Sequence, residues 1–540
     1  MYRRLLLLGL AAVWFAAGCA RTVLRPAATP PAPTGATSAQ GSRRQVTILY
    51  VADLHAQLRA HPELFWRDGE ERIEMAGGFA RVAAAIERIR SERGGDVLVL
   101  DAGDTLQGSG EAALTEGAAL IAPLNALGLQ GAVPGNWEVA YGPGVLRERA
   151  RQLNYPLFAA NLRDAASGER LFSPYLLREV AGVRIAVVGF TDPDVPRRQP
   201  PGYSEGLRYD GPEALPALVR EVREQERADV VLLMTHVGLS KAVALADQVP
   251  GVDAHLSADT HERTYVPIER GGSWVVEPGA FGSFLGRLDL WVEGGKVVER
   301  KWELLELTAA RFPERPEVVR LVDAALAPLG PRLSKEVGHT GVTLARYAVV
   351  ENPLDNMLAD AIRAAGGTEI GLSNGFRFGT PLLPGPVREA DLWNFFPVVN
   401  PVKTGKLTGK QLRDFWEQEL ENVFARDAEK RFGGWLPRPS GMTLRFRANA
   451  PKGQRLLSAE VNGEPLDEAR VYTVAACERE GDTPDMLCRI PGATETRTLE
   501  VDAHEAVRRY LATRPELNGG LQGRAVGEDL PPVLRTQQLP

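Results

Sequence analysis

Short apolar runs rich in β-branched residues recur along the first half of this chain, and each leads to a polar residue able to hold a metal. Val46 to Val51 runs into Asp53-Leu54-His55, Val97 to Leu100 into Asp101-Ala102-Gly103-Asp104, and Val230 to Met234 into Thr235-His236. Gly135-Asn136-Trp137-Glu138 and Ser257-Ala258-Asp259-Thr260-His261 complete the set. Between the runs, Phe79, Val82, Ala83, Ile86 and Ile89 have helical spacing, and 211–227 reads as a further helix. Arg184 to Phe190 repeats the strand pattern, while Trp274 to Val276 and 288–298, turned at Glu293-Gly294-Gly295, read as closing strands. Strands alternating with helices predict a layered α/β domain. In such sheets, sites form beyond the carboxyl ends of the strands. The chain has 7 histidines, and His55, His236 and His261 all fall in these segments.

At 540 residues the chain is too long for one ordinary core, so two large domains are expected. The 44% apolar and 24% charged fractions are those of a soluble globular protein. A net charge of −6 without a basic run argues against a nucleic-acid polymer as partner. Arg3, Arg4 and the apolar stretch Leu5 to Ala17 read as a signal peptide over 1–19, too short to span a bilayer. Small residues before Cys19 resemble a bacterial lipobox, in which Cys19 is lipidated; the alternative is an ordinary cleavage site and a soluble secreted protein. Ala20 after the cysteine favours, by the same resemblance, the outer membrane. The expected location is therefore the bacterial cell envelope, either anchored at the periplasmic face or free in the periplasm. Contact with the membrane comes through the anchor alone, and the expected state is a monomer.

Residues 20–44, rich in Ala, Pro, Thr and Ser, predict a disordered tether. Residues 45–310 form the predicted metal domain. In 311–335, four prolines surround a helical stretch from Glu317 to Leu326, which reads as a linker helix and a hinge. Residues 336–515 read as a second α/β domain, with helices at 352–365 and 409–423, a strand at 369–372 and a hairpin turn at Asn462-Gly463. Residues 516–540 read as a loosely packed tail. Cys477 and Cys488 form either a disulfide, which an oxidising compartment favours, or two buried thiols.

Asp53 and His55 are two apart, so an extended backbone points both to one side. Asp104, in a glycine-containing turn, has two oxygens with which to bridge two cations. Asn136 offers an amide oxygen, and His236 and His261 offer imidazoles. Such mixed ligands suit Mn, Fe, Zn or Mg. Two cations about 3.5–4 Å apart clamp both oxygens of an in-line displacement, and a metal-bound hydroxide then serves as nucleophile.

Asp-x-His, Gly-Asp-Thr, Gly-Asn-x-Glu and two Thr-His pairs, in this order, resemble the calcineurin-like metallophosphoesterases. Within these the chain is similar to the bacterial 5′-nucleotidase and UDP-sugar hydrolase family. The similarity continues through Asn352-Pro-Leu-Asp-Asn356, Ser373-Asn374-Gly375-Phe376-Arg377, Phe395-Phe396-Pro397 and Ser440-Gly441. It implies a layered β-sandwich flanked by helices, then an α/β substrate-binding domain of 5′-nucleotidase type. It also implies two divalent ions, one on Asp53, His55, Asp104 and His261, the other on Asp104, Asn136, His236 and Asp259. The family has histidine at Asp259; a carboxylate there favours a hard cation such as Mn or Mg, and the alternative is a surface acid beside a weakened second site. Arg377, Phe378, Phe395 and Phe396 are the implied substrate-binding residues. Arg377 either grips an anion or forms a structural salt bridge, and the phenylalanines either stack on a base or pack in the core.

The larger departure is Trp137 with Ala140, where nucleotidases carry a His–Asp pair that stabilises the transferring phosphoryl group. Tryptophan there resembles the thiosulfohydrolase of the bacterial Sox sulfur-oxidation system, although Asn136 stays nucleotidase-like. Glu480-Gly481-Asp482-Thr483-Pro484 lacks the second aromatic of the nucleotidase base clamp. Three readings follow. The first is a metal-dependent hydrolase of a thiosulfonate-type ester, small or borne on a carrier protein. The second is a nucleotidase or nucleotide-sugar hydrolase, and the third a non-catalytic binding protein on the same fold.

Overall fold

A computed structural model describes residues 43–373, 375–376, 379–431 and 435–531. Cys19, the signal peptide, most of the tether, Arg377, Phe378 and the end of the tail lie outside the described residues. From Val46 onward every residue of the strand Arg44–Val51 is buried, on both faces. A strand buried on both sides belongs in the middle of a layered structure. It lies in a four-stranded sheet ordered Lys296–Glu306, Phe284–Glu293, Arg44–Val51, Val97–Asp101, parallel to the last and antiparallel to its other neighbour. Val46, Ile48, Tyr50, Leu98 and Leu100 face Ile185, Val187, Leu232, Met234 and Leu256 of a second sheet in one core. That sheet has six strands in the order Ile268–Arg270, Ser273–Val276, Ala254–Ser257, Val230–Thr235, Val183–Phe190, Tyr175–Val180. Its four middle strands run parallel.

Helices cover the outer faces. Leu49, Val51 and Val99 pack with Phe79, Val82 and Ile86 of the helix Phe79–Glu92. Val188, Val231 and Leu233 pack with Leu215, Leu218 and Val222 of Leu215–Glu224. The proline-bounded helix Pro316–Leu326 buries Val318, Val322 and Leu326 in the first of these cores, so it is seated on the sandwich rather than hanging between domains.

The second domain is built on a five-stranded mixed sheet ordered Pro439–Ser440, Ile370–Leu372, Val471–Cys477, Pro401–Thr408, Thr494–Asp502. The helix Pro353–Gly366 starts on an Asn352 cap and ends at Gly367 with φ 60°. Asn462 and Gly463 both have positive φ, as the expected two-residue hairpin requires. The expectation of a loose tail is corrected over its described part. Leu517 and Ala525 are buried, and Ala525–Gly527 pairs in parallel with Met442–Phe446, because its apolar residues complete that small sheet's edge. Phe395 and Phe396 are corrected too: at 0% and 2% exposure they pack with Leu354, Met357 and Val507, where no ligand can stack on them.

Candidate metal centre

The strand-end segments converge. Asp53 and His55 follow Arg44–Val51, Asp104 follows Val97–Asp101, His236 follows Val230–Thr235, and Asp259 and His261 follow Ala254–Ser257. Asp53, His55, Asp104, Asp259 and His261 all have positive φ, between 42° and 91°. Such backbone is rare outside glycine and gathers where a loop aims side chains at a site. Gly135 is needed for its size: a Cβ there would sit 2.2 Å from Asp104 Oδ1 and 2.7 Å from His236 Cε1.

Two triads place their ligand atoms mutually within 4.8 Å: Asp53, His55 and His261, and Asp53, Asp104 and His236. Asp53 thus belongs to both, whereas Asp104, the expected bridge, belongs to the second alone, and Asp259 belongs to neither. His55 Nε2 lies 3.1 Å from His261 Nε2, and His236 Nε2 lies 3.1 Å from Asp104 Oδ2. His261 Nε2 is 3.6 Å from Asp53 Oδ1. The opposite ring nitrogens set the tautomers. His55 Nδ1–H donates to the Gln107 carbonyl at 3.0 Å, and His236 Nδ1–H to the Ala102 carbonyl at 2.7 Å. Each carbonyl can only accept, so Nε2 is the ring nitrogen turned to the cluster, offering a lone pair once it is deprotonated, the arrangement metal-bound histidines use.

The donor set supplies the test of fit. Carboxylate oxygens and imidazole nitrogens of Asp53, His55 and His261, and of Asp53, Asp104 and His236, gather within 4.8 Å, and the Asn136 amide reaches the same cluster, 3.2 Å from His236 Nε2 and 3.1 Å from Asp104 Oδ2. Buried acceptor atoms gathered this closely are stabilised by protons or by a cation between them. The residues present therefore fit divalent metal ions.

Buried charge shapes the surroundings. Desolvation raises Asp53 well above the usual carboxylate range; His236 opposes this, and Asp104 adds to it. Burial alone would lower His236, but the Asp104 and Asp53 carboxylates outweigh it and hold the imidazole well above its ordinary value. Glu138, quoted in a motif but given no role from sequence, is the clamp behind the ligands. Its carboxylate accepts from the backbone N–H groups of Asp104 (2.8 Å), Thr105 (2.7 Å), Leu106 (3.1 Å) and Gly135 (2.5 Å). Burial, then repulsion from Asp104, pushes its carboxyl up to about 7. Glu277, also unassigned from sequence, accepts from Ser257 and Thr260 hydroxyls and from Glu262 N–H, bracing the loop that carries Asp259 and His261.

Asp259 is buried, 5% exposed, not a surface acid. Its Oδ1 accepts from Arg198 Nη2 at 3.1 Å, and Arg198 also binds the fully buried Asp192 at 2.5 Å. Arg198 and Asp192 both come from the loop after Val183–Phe190, a strand run that ends in Thr191-Asp192, and that pair is the signal available in the sequence. Trp137 donates its backbone N–H to Asp104 Oδ1 at 2.7 Å. Its indole meets Phe376 edge to face, centroids 6.0 Å apart. Both line a cavity of about 180 Å³ beside the ligand cluster, together with Arg198, Tyr203 and Trp435.

The expected disulfide is corrected: Cys477 and Cys488 are free thiols. Both line the same cavity, and burial pushes them up to about 12 and about 11, so the thiols stay protonated. His61 bonds to the Pro62 and Phe281 carbonyls, and His255 and His504 are buried away from the cluster.

Residues 46–263 match the calcineurin-like phosphoesterase family and residues 334–478 the 5′-nucleotidase C-terminal domain. The chain belongs to the two-domain metallophosphoesterases, a family of metal-dependent hydrolases, with its ligand cluster in the first domain. It is 27% identical over 441 residues to the trifunctional nucleotide phosphoesterase protein YfkN of Bacillus subtilis, covering 73% of this chain but 30% of that longer protein. It is 21% identical over 524 residues to protein UshA of Escherichia coli, covering 86% of this chain and 91% of the other. Among solved structures it is similar to the sulfate thiohydrolase SoxB of Thermus thermophilus, with 26% identity, a TM-score of 0.81, and coverage of 90% of this chain and 97% of that one.

Proposed function

We propose that this chain is an exported hydrolase of a thiosulfonate-type ester, with Asp53, His55, Asp104, Asn136, His236, Asp259 and His261 holding two divalent ions, Mn favoured. One observation carries the reading: an uncharged indole, Trp137, stands beside the ligand cluster where a phosphate-cleaving relative would place a cationic helper. The likeness to the Thermus thermophilus sulfate thiohydrolase supports it. So does the burial of Phe395 and Phe396, which removes the expected base-stacking platform.

Bound divalent ions supply Lewis-acid polarisation of the ester and an acidified water. The chain's own residues do the rest. The carbonyls of Gln107 and Ala102 fix two imidazoles, Glu138 fixes the loops of Asp104 and Asn136, and Trp137 with Phe376 gives the cavity an apolar wall. Sulfonate transfer gathers less negative charge than phosphoryl transfer, so an apolar wall is tolerated there. The hard Asp259 carboxylate favours Mn or Mg over softer ions. No helix among the described residues is long and apolar enough to cross a membrane, and the reading places membrane contact at Cys19 alone.

The test is Mn-loaded protein assayed in parallel on AMP, UDP-glucose, bis-p-nitrophenyl phosphate and a peptide carrying cysteine S-thiosulfonate. Turnover of the peptide with little on the nucleotides is the expected result. Nucleotide turnover at ordinary enzyme rates overturns it in favour of a nucleotidase, the reading that the likeness to the B. subtilis nucleotide phosphoesterase supports. Silence on all four with metal bound favours a binding protein.

A further inference from the structure

The loop after Val183–Phe190 carries an arginine to the ligand cluster. Arg198 closes the helical turn Val195–Arg198, and its side chain is 13% exposed. Asp192 Oδ2 holds Nη1 at 2.5 Å and Asp259 Oδ1 holds Nη2 at 3.1 Å. The first acid is fully buried and the second 5% exposed, so the guanidinium plane is pinned from two sides. The same side chain lines the cavity with Trp137, Asn136 and Asp259.

The bonds to Asp192 and Asp259 use two of the five N–H donors of the guanidinium. The other donors are available to an occupant of the cavity Arg198 lines. Among the described residues, Arg479 and Arg489 also line this cavity, paired with Asp482 at 3.4 Å and Glu419 at 2.9 Å, but only Arg198 is bonded to a candidate metal ligand, Asp259. Gln199, the next residue, places its side-chain nitrogen 3.0 Å from the outer amide end of Asn136, so this loop touches two metal-ligand candidates in succession.

We propose that Arg198 binds the oxyanion of the substrate: its fork, aimed by Asp192 and Asp259, receives an oxygen of the transferred sulfonate or phosphoryl group. Planar bidentate geometry suits Arg to tetrahedral oxyanions better than Lys. The inference rests on the metal-hydrolase reading but not on the choice between sulfonate and phosphate.

The test measures binding of inorganic sulfate and inorganic phosphate to the Mn-loaded protein by calorimetry, with metal content determined on the same samples. Arg198→Gln weakens anion binding about 10- to 100-fold, the loss expected for a charge-assisted bond, while metal content stays at the parent level. Arg198→Lys, which keeps the charge and loses the fork, binds about tenfold more weakly than the parent and covers the case in which the Gln variant fails to fold. On whichever ester the parent cleaves, Arg198→Gln lowers kcat about 100- to 1,000-fold, as loss of an oxyanion donor does. Adding Trp137→His to that variant restores about tenfold or more, because it returns a cation to the same cavity. Parent-like anion binding in Arg198→Gln overturns the proposal. So does metal loss in step with anion loss, which makes Arg198 a mere support for Asp259. Failure of every ester assay with anion binding still dependent on Arg198 would instead remove the hydrolase reading and leave the anion site standing.

Discussion

Replacing Glu138 by glutamine is the sharpest perturbation of the metal centre that leaves every ligand candidate in place. One carboxylate oxygen accepts from Asp104 N–H and Gly135 N–H, the other from Thr105 N–H and Leu106 N–H. Whichever way the new amide sits, its NH2 group faces two backbone N–H donors. Each buried donor left without an acceptor costs about 1–3 kcal/mol, so the variant loses about 2–6 kcal/mol. Relaxation of the Asp104 and Asn136 loops is the escape route, and it moves both residues off the cluster. Metal affinity then falls about 10- to 100-fold, the usual effect of removing an outer-shell partner. The assay is metal retention across a chelator-buffered Mn series at pH 8, with thermal unfolding of the metal-free forms alongside. That pH lies above the value of about 7 to which burial lifts Glu138, so the parent carboxylate is ionised. Parent-like retention together with an unchanged melting temperature would refute the clamp.

Three further outcomes follow from burial. Phe395→Ala lowers stability by about 3–5 kcal/mol through the cavity it leaves, while KM for any cleaved ester stays within twofold or so of the parent, since the ring touches no ligand; a large KM change with intact stability would return it to the substrate site. His255 has no hydrogen-bond partner on either ring nitrogen and is held near 4 by burial, so it stays neutral in the folded state. Its folded value lies below the unfolded value of 6.5, so the native state is weakened as pH falls through that window, by about 3 kcal/mol at full extent. His255→Leu removes that part of the acid slope in denaturant titrations, and an unchanged slope would contradict it. Mass mapping of native protein alkylated at pH 7.5 without reductant finds Cys477 and Cys488 slow to react but both labelled after unfolding; a bridged peptide would contradict the free thiols.

The strands and the ligand positions were legible because scarce residue types sit at fixed places after apolar runs, and local pattern carries both. Asp53 through His261 needed no tertiary knowledge beyond the rule that sites lie past strand ends. Arg198 and Glu277 were not legible, because an arginine or glutamate in a loop reads as a solvated charge until packing brings it against a carboxylate or a hydroxyl. Phe395 and Phe396 failed for the converse reason. A Phe-Phe-Pro segment has the same letters whether its rings face a ligand or Leu354 and Val507, and burial alone decides. The tail misled because two or three apolar residues among Gly and Pro look too sparse to pack, yet a strand of three residues suffices at a sheet edge.

The raised acids of the cluster make metal binding and pH one question. Glu138 is lifted from 4.5 to about 7 and Asp101 from 3.8 to about 6, chiefly by burial, and Asp53 is raised as well. For an acid whose folded value exceeds its unfolded one, the folded chain binds the proton more tightly. Stability without metal is therefore greatest below the unfolded values and falls as pH rises from about 4 to about 7, by about 3 kcal/mol for Glu138 alone. Divalent ions reverse the sign, since they favour the ionised ligands and expel the protons that the empty cluster holds. Metal-free protein should lose stability across that interval while Mn-loaded protein gains it. Calorimetric titration with Mn at pH 6 in buffers of different ionisation enthalpy should then show protons released on binding. Parallel stability curves for the two forms, or binding without proton release, would show that these carboxylates are already ionised in the empty site and that burial does not govern them.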